Sequence, residues 1–396
     1  MAYAQGRLIH DADSHLMELG GCLDPYFERR YLDAFHALPI YRRKLEPAGW
    51  AEKARAQQRD PEFRAGGPEN LLLRKNYQAL GAFNREDRAR AIDLFGFASQ
   101  LVFTTFCLGN FGLDESGDVE LCHAAASAHN RMMTDFCSVD RRLLGTAYIP
   151  LVGFERARQT AEEAIGLGAK ALLIPSRCPP GHSPSHVGFD PLWALAQDAG
   201  LPILFHVGGE VKLQPDYFEN GLPRVKDFHG GEENFTSVSF MAIPGSVMQS
   251  LACLILDGVL DRFPRLRFGA IELGASWLPG WMRFMDSAHQ AFYKNEERLH
   301  RLSAPPSEIV RRQVRVTPYP HEDAGWIVAN SGEEVCLFSS DYPHVEGGRN
   351  PLKRFNDSLA TTSQRAIDRF YCDNFIDLMG NGLAENLRRP KHLAAA

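Results

Sequence analysis

Two hydrophobic patterns alternate along the chain. Short, near-continuous apolar and β-branched runs occur at Arg7–Asp13, Ser99–Phe106, Leu143–Pro150, Ala169–Pro175, Pro202–Gly208, Leu266–Leu273, Val314–Tyr319 and Glu334–Ser339. Stretches of helical periodicity lie between most of them, at Val119–Cys137, Glu155–Gly166, Pro191–Ala199, Val247–Asp261 and Trp277–Glu297, with Gln364–Met379 closing the set. Gly168 and Gly200 stand where a helix should stop before the next strand. Strands that are apolar throughout imply a parallel sheet covered by helices. Eight strands with their crossovers are the arithmetic of an α/β (β/α)8 TIM barrel, here one domain over residues 1–396. A doubly wound sheet, the rival, usually has a Gly-rich phosphate turn after an early strand. Leu8–His10 leads instead into Asp11-Ala12-Asp13-Ser14-His15.

Two intervals break the rhythm. Residues 19–97, rich in Arg, Glu and aromatics, separate the first two strands, and should fold as helices and loop capping the catalytic face. Glu210–Thr236, with Gly230-Gly231 at its centre, follows the fifth strand and suits a lid or substrate wall.

Composition narrows the class. With 44% hydrophobic and 23% charged residues the chain is globular. A net charge of −6 without a basic stripe gives no footprint for nucleic acid. The longest apolar stretch, Leu251–Leu260, is interrupted by Asp257 and is shorter than a membrane span, and no signal-peptide pattern opens the chain. The eight cysteines form no Cys-x-x-Cys pair, and several sit in apolar strings such as Phe106-Cys107-Leu108, as in a cytoplasmic protein with reduced thiols.

The chemistry gathers at strand ends. Side-chain alternation points Asp11, Asp13 and His15 the same way. Two carboxylates and an imidazole that converge call for a cation, although a polar strand end capping the next helix is the plainer reading. His206 ends the fifth strand before Val207-Gly208-Gly209, Glu272 ends the sixth, and Asp341 follows the eighth with His344 three residues on. Each alone fits a core histidine or a cap. Four strands delivering polar ligands to one end of a barrel fit a metal site better.

Asp11-Ala-Asp13-Ser-His15 with Glu18, Leu204-Phe-His206-Val-Gly and Ser340-Asp341-Tyr-Pro-His344-x-Glu346-Gly resemble the opening, middle and closing motifs of the amidohydrolase-related family. These are metal-dependent (β/α)8 barrels that include the aminocarboxymuconate-semialdehyde decarboxylase group. The resemblance runs from about Leu8 to Met379. It implies Asp13, His15, His206 and Asp341 as metal ligands. Many family members carry a histidine on the sixth strand, where this chain has Glu272.

That substitution and the surplus of carboxylates favour a metal-dependent hydrolase, with metal-bound water attacking an ester, thioester, amide, lactone or C–C carbonyl of a sizeable apolar or carboxylate-bearing molecule. Asp341 and Glu272 would handle protons. Asp11 with Glu272 would hold a second ion if the site is dinuclear. His344 and Glu18 would orient ligands. The alternative is a metal-dependent non-oxidative decarboxylase of an aromatic or enoic acid, with Arg177 as the cation for the carboxylate or, equally, as a structural ion-pair partner. Zinc is the first expectation, and iron and manganese accept the same ligands. Trp50, Phe63, Tyr77 and Phe83 would pack the cap or face an apolar substrate. A homodimer is expected from the resemblance and the apolar helix faces.

Overall fold

The computed structural model describes residues 2–38, 50–209, 211, 213–223 and 236–389, with the side chains of residues 50, 51 and 108–111 outside that description. Most of the expected Glu210–Thr236 insertion, Gly230 and Gly231 included, and the Trp50 side chain therefore lie outside the described residues. Seven parallel strands form one sheet in the order β1 to β7: β1 His10–Leu16, β2 Ser99–Thr104, β3 Leu143–Tyr148, β4 Ala171–Leu173, β5 Ile203–His206, β6 Phe268–Ile271 and β7 Val314–Val316. Consecutive strands are neighbours, and helices connect them, as the apolar runs require.

The eighth expected strand, Glu334–Ser339, is not a regular one. Only isolated bridges are formed, Val316 with Cys336 and Ser14 with Tyr342. The segment nevertheless lies between β7 and β1. The Val316 N–H donates to Val335 O at 2.8 Å and Leu337 N to Val316 O at 2.9 Å. On the other side Ala12 N donates to Phe338 O at 3.0 Å, Asp341 N to Asp13 O at 3.0 Å and His15 N to Tyr342 O at 2.6 Å. The sheet is thus curled, with its first and last strands tied through one segment.

Strand β1 runs three residues later than the Arg7–Asp13 expected, so the Asp-x-Asp-x-His motif lies within it. The pairing of β1 with β2 shifts between Asp11 and Ser14, a β-bulge. Ala12 and Asp13 together oppose Leu101, and the simple alternation that grouped Asp11 with Asp13 is broken.

The helices follow their periodicity closely at Val119–Cys137, Phe154–Gly166 and Asp190–Ala199. The expected Val247–Asp261 helix becomes Ser237–Leu256 and Val259–Arg262, separated by Gly258 in the left-handed region at φ 75°. At 20 residues, Ser237–Leu256 is long and apolar enough to cross a membrane, unlike the shorter stretch read from sequence, but Ile243, Val247, Leu251 and Leu254 are buried in the core. Trp277–Glu297 shortens to Leu278–Phe292, and Gln364–Met379 carries a π-helical turn at Arg369–Asp373.

The main apolar core packs helices such as Val119–Cys137 and Ser237–Leu256 against the sheet. A second cluster joins Ala12, Leu101, Leu173, Leu204, Ile271 and Leu337 from successive strands, covered by Phe375, Leu378 and Met379. The described part of residues 19–97 holds short helices, at Arg29–His36, Trp50–Arg59, Pro61–Ala65 and Arg85–Phe95 among them. It is tied to the site end of β1 and to the eighth segment: Met17 N donates to Ala82 O, Asn76 N to Pro343 O and the Tyr342 hydroxyl to Leu80 O.

Candidate metal centre

Six buried side chains meet at the C-terminal ends of the strands. Asp13 and His15 come from β1, His206 is the last residue of β5, and Glu272 follows β6. Asp341 and His344 come from the eighth segment. His15 Nε2 lies 3.2 Å from Asp13 Oδ1, 3.3 Å from Glu272 Oε2 and 3.5 Å from Asp341 Oδ1. His206 Nε2 lies 3.2 Å from Glu272 Oε2 and 3.4 Å from Asp13 Oδ1. His344 Nδ1 is 3.1 Å from Asp341 Oδ1, and its ring stacks on His15 with centroids 3.8 Å apart.

Two four-residue groups, Asp13-His15-His206-Glu272 and His15-Glu272-Asp341-His344, each bring one ligand atom per residue within 4.8 Å of the others. Asp13 Oδ2, His15 Nε2 and Glu272 Oε2 are buried and make no hydrogen bond. Buried polar atoms without partners are costly, and a cation among them removes that cost. The donor set, imidazole nitrogens and carboxylate oxygens, fits a divalent ion.

The second nitrogen of each histidine is anchored. His15 Nδ1 is 3.1 Å from Thr104 O, and His206 Nδ1 is 3.0 Å from Val207 O. A carbonyl accepts only from N–H, so Nδ1 carries the proton and Nε2 is turned to the cluster. His344 Nε2 is 2.9 Å from the Thr105 hydroxyl.

Glu272 and Asp341 share a backbone signature. Both are non-glycine residues in the left-handed region, at φ 54° and 52°. Such strain survives only where the surroundings impose it, and it gathers at functional sites. Around Glu272, its own N–H donates to Thr317 Oγ1 at 2.8 Å, and the Tyr319 hydroxyl donates to its carbonyl at 2.7 Å. Around Asp341, Gly347 folds back so closely that a Cβ there would lie 2.1 Å from Ser340 O.

Charge within the cluster is strongly redistributed. Burial opposes ionisation of Asp13, but the charge of His15, with that of His206 behind it, holds its carboxyl at about 2. Burial likewise opposes charging of His15, but Asp13 and Glu272 outweigh it and raise the imidazole to about 10. Burial raises Glu272 above the usual carboxylate range, against the pull of His15. His344 is pushed far down, by burial first and then by His15 and His206. Converging carboxylates thus demand positive charge. A proton on His15 supplies one unit, and a divalent ion held by these residues would supply the charge in place of that proton.

The other expected site residues lie elsewhere. Asp11 belongs to neither group of ligand atoms. It accepts from Ser340 N at 2.8 Å, Ser340 Oγ at 2.6 Å, Gln100 Nε2 at 2.8 Å and Asp13 N at 3.3 Å, pinning the eighth segment to β1 and β2. Burial still raises it to about 7. Glu18 accepts from Thr105 N at 3.1 Å and Phe106 N at 2.9 Å, and from the Thr104 hydroxyl. It therefore fixes the β2 end that carries the anchors of His15 and His344. Arg177 pairs with buried Asp114 and lies 3.4 Å from Glu115, so its charge is committed there. Thr104, Thr105, Thr317 and Tyr319 were not among the sequence candidates. A Thr-Thr pair ending the apolar run Leu101-Val102-Phe103 was the available signal.

Of the aromatics in residues 19–97, Tyr77 stacks on Phe106 with centroids 5.9 Å apart and bonds Glu18 O, while Phe63 lies under Arg74. Phe83 lines a cavity of about 310 Å³ with Leu16, Glu18, Leu19 and Met132.

The family model described as amidohydrolase matches residues 81–378. The chain belongs to the amidohydrolase family. No curated protein matches it in sequence. Among solved structures, this amidohydrolase is similar to one named amidohydrolase from Mycobacterium avium subsp. paratuberculosis K-10, with 21% identity and TM-score 0.69, covering 94% of this chain and 99% of that one. It is also similar to 5-carboxyvanillate decarboxylase from Sphingomonas paucimobilis, with 15% identity and TM-score 0.60 over 94% and 98% of the two chains. A third similar structure is dihydroxybenzoic acid decarboxylase from Polaromonas sp. JS666 with bound manganese, with 15% identity and TM-score 0.57 over 97% and 100%.

Proposed function

We propose that this amidohydrolase is a metal-dependent, non-oxidative decarboxylase of a small aromatic or enoic acid. What carries the reading is the likeness, over nearly the full length of both chains, to decarboxylases that share this arrangement of strands, one of them with bound manganese. It displaces hydrolysis, the first expectation, to second place. In this reading the eighth segment closes a (β/α)8 barrel, residues 19–97 cap its catalytic face, and the chain acts as a homodimer.

Asp13, His15, His206 and Asp341 would hold one divalent ion, manganese or zinc. When bound, such an ion polarises the oxygen substituents of the substrate and offsets the negative charge that develops as carbon dioxide leaves. Asp11, with four donors already on its oxygens, is better suited to bracing the site than to a second ion. The balanced reaction replaces the carboxylate on carbon by a proton. Glu272, raised by burial, is the group suited to hold that proton and deliver it to carbon. His344, kept neutral, positions Asp341. The cap excludes water, which protects the developing carbanion character from the wrong proton source.

Metal-dependent hydrolysis remains the second reading, favoured by one observation: Glu272 Oε2 sits between His15 and His206, where a carboxylate can accept a proton from water. The test is product analysis. The metal-loaded protein is offered hydroxybenzoic, methoxylated aromatic and enoic acids, and separately esters, thioesters, amides and lactones. Carbon dioxide released from one of the acids, abolished by chelation, supports the proposal. Metal-dependent hydrolysis without carbon dioxide release overturns it in favour of the second reading.

A further inference from the structure

The cluster presents carboxylates and imidazoles, yet an acid substrate also needs a cation for its own charge. Arg177 does not serve, because Asp114 takes it. Among the arginines of residues 19–97, Arg64 grips Asp87 through two hydrogen bonds. Arg88 donates to the His15 carbonyl and lies over the Tyr342 ring.

Lys75 is different. Its Nζ is buried and makes no hydrogen bond. Its place is set by its neighbour. Asn76, a non-glycine residue at φ 52°, donates its N–H to Pro343 O at 2.9 Å, which stitches this turn of the cap to the Asp341–His344 segment. The carboxylates of Asp341 and Glu346 act on the Lys75 charge, and that charge in turn acts on His344. An ammonium held away from water with no acceptor is expensive, and burial accordingly makes the Lys75 amine easier to deprotonate than a free lysine. A surface lysine would turn its Nζ to water. This one is held indoors beside the metal-ligand segment.

We propose that Lys75 receives the anionic group of the substrate, making the site selective for small carboxylate acids presented on the Asp341–His344 side. The inference rests on the decarboxylase reading for the reaction, but not for the anion. The substrate carboxylate supplies the missing acceptor, and its charge restores the full positive charge of the lysine.

The test compares benzoate with benzyl alcohol, its uncharged counterpart, as probes binding to the metal-loaded full chain, followed by ligand-observed NMR. Lys75→Met keeps the aliphatic stem and removes the charge, and Lys75→Arg keeps the charge. Metal content and circular dichroism verify that both variants fold. The unmodified chain should prefer benzoate, Lys75→Met should weaken benzoate binding by about 10–100-fold and leave benzyl alcohol unchanged, and Lys75→Arg should restore much of the difference. Equal benzoate binding by folded Lys75→Met, or no preference in the unmodified chain, overturns the proposal. An anion effect without carbon dioxide release from any acid retains the Lys75 anchor and discards the decarboxylase reading. Carbon dioxide release with no Lys75 effect does the reverse.

Discussion

Two histidines on strand β1 show how the two ends of the sheet differ. His10 and His15 are both buried. His10 Nδ1 meets the Ser99 hydroxyl at 2.8 Å, its Nε2 meets Arg388 O at 3.1 Å, and its ring stacks on Phe375. Every polar atom has an ordinary partner, and burial lowers the imidazole to about 4. Five residues on, His15 has one nitrogen on a carbonyl and the other facing three carboxylates. One end of the strand is satisfied by protein alone. At the other, buried ligand atoms without hydrogen bonds face one another, an arrangement that a cation would complete. A buried histidine says little by itself. The company it keeps distinguishes structure from chemistry.

The comparison can be broken from the His15 end first. His206→Ala should remove bound metal and activity together. Loss of partners outside a ligand set already costs about 10–100-fold in metal affinity, so loss of a ligand should cost more. Retained metal with normal rates would return His206 to the class of His10. Glu272→Gln should keep the metal yet lower turnover by about 10²–10⁴-fold, with the pH–rate profile altered. If metal is lost instead, Glu272 is a ligand. Thr105→Val removes the hydroxyl beside His344 and should reduce metal affinity or activity by about tenfold or more. Unchanged values would show that stacking on His15 alone positions His344.

At the structural end the expected effect falls on stability. The folded His10 imidazole titrates at about 4, below its ordinary value of 6.5. The unfolded chain therefore takes up the proton first as pH falls, so stability is present above about pH 6.5 and is lost down to about pH 4. Between pH 7 and pH 5 this group should cost about 2 kcal/mol. Denaturant unfolding of His10→Gln should show that much less acid sensitivity than the unmodified chain, and an identical pH dependence would contradict the assignment.

The sequence was informative where one residue's period carried the message. The strands β1 to β7 came from apolar runs, and Asp13, His15, His206, Glu272 and Asp341 came from polar residues at the ends of those runs. It was uninformative where a departure from the period decided the outcome. The bulge between Asp11 and Ser14 changes which residues of β1 share a face, and no turn residue marks it. The eighth segment is apolar like a strand but forms only isolated bridges, and it leads into the left-handed Asp341 and the close approach of Gly347. For Arg177 the sequence allows a substrate cation and a structural ion-pair partner equally, because its partner Asp114 is 63 residues away in sequence. Nothing local marks Lys75 either, since its neighbour Asn76 is bonded to Pro343 across the fold.

The central claim is that the catalytic end is completed by a metal and the opposite end is not. Elemental analysis of protein purified without added metal, alongside Asp13→Asn and His10→Gln, tests it most directly. The account predicts about one divalent ion per chain in the unmodified protein and in His10→Gln, and a near-complete loss in Asp13→Asn with the fold retained. Metal-free unmodified protein that is fully active, or an Asp13→Asn variant with undiminished metal, would contradict it.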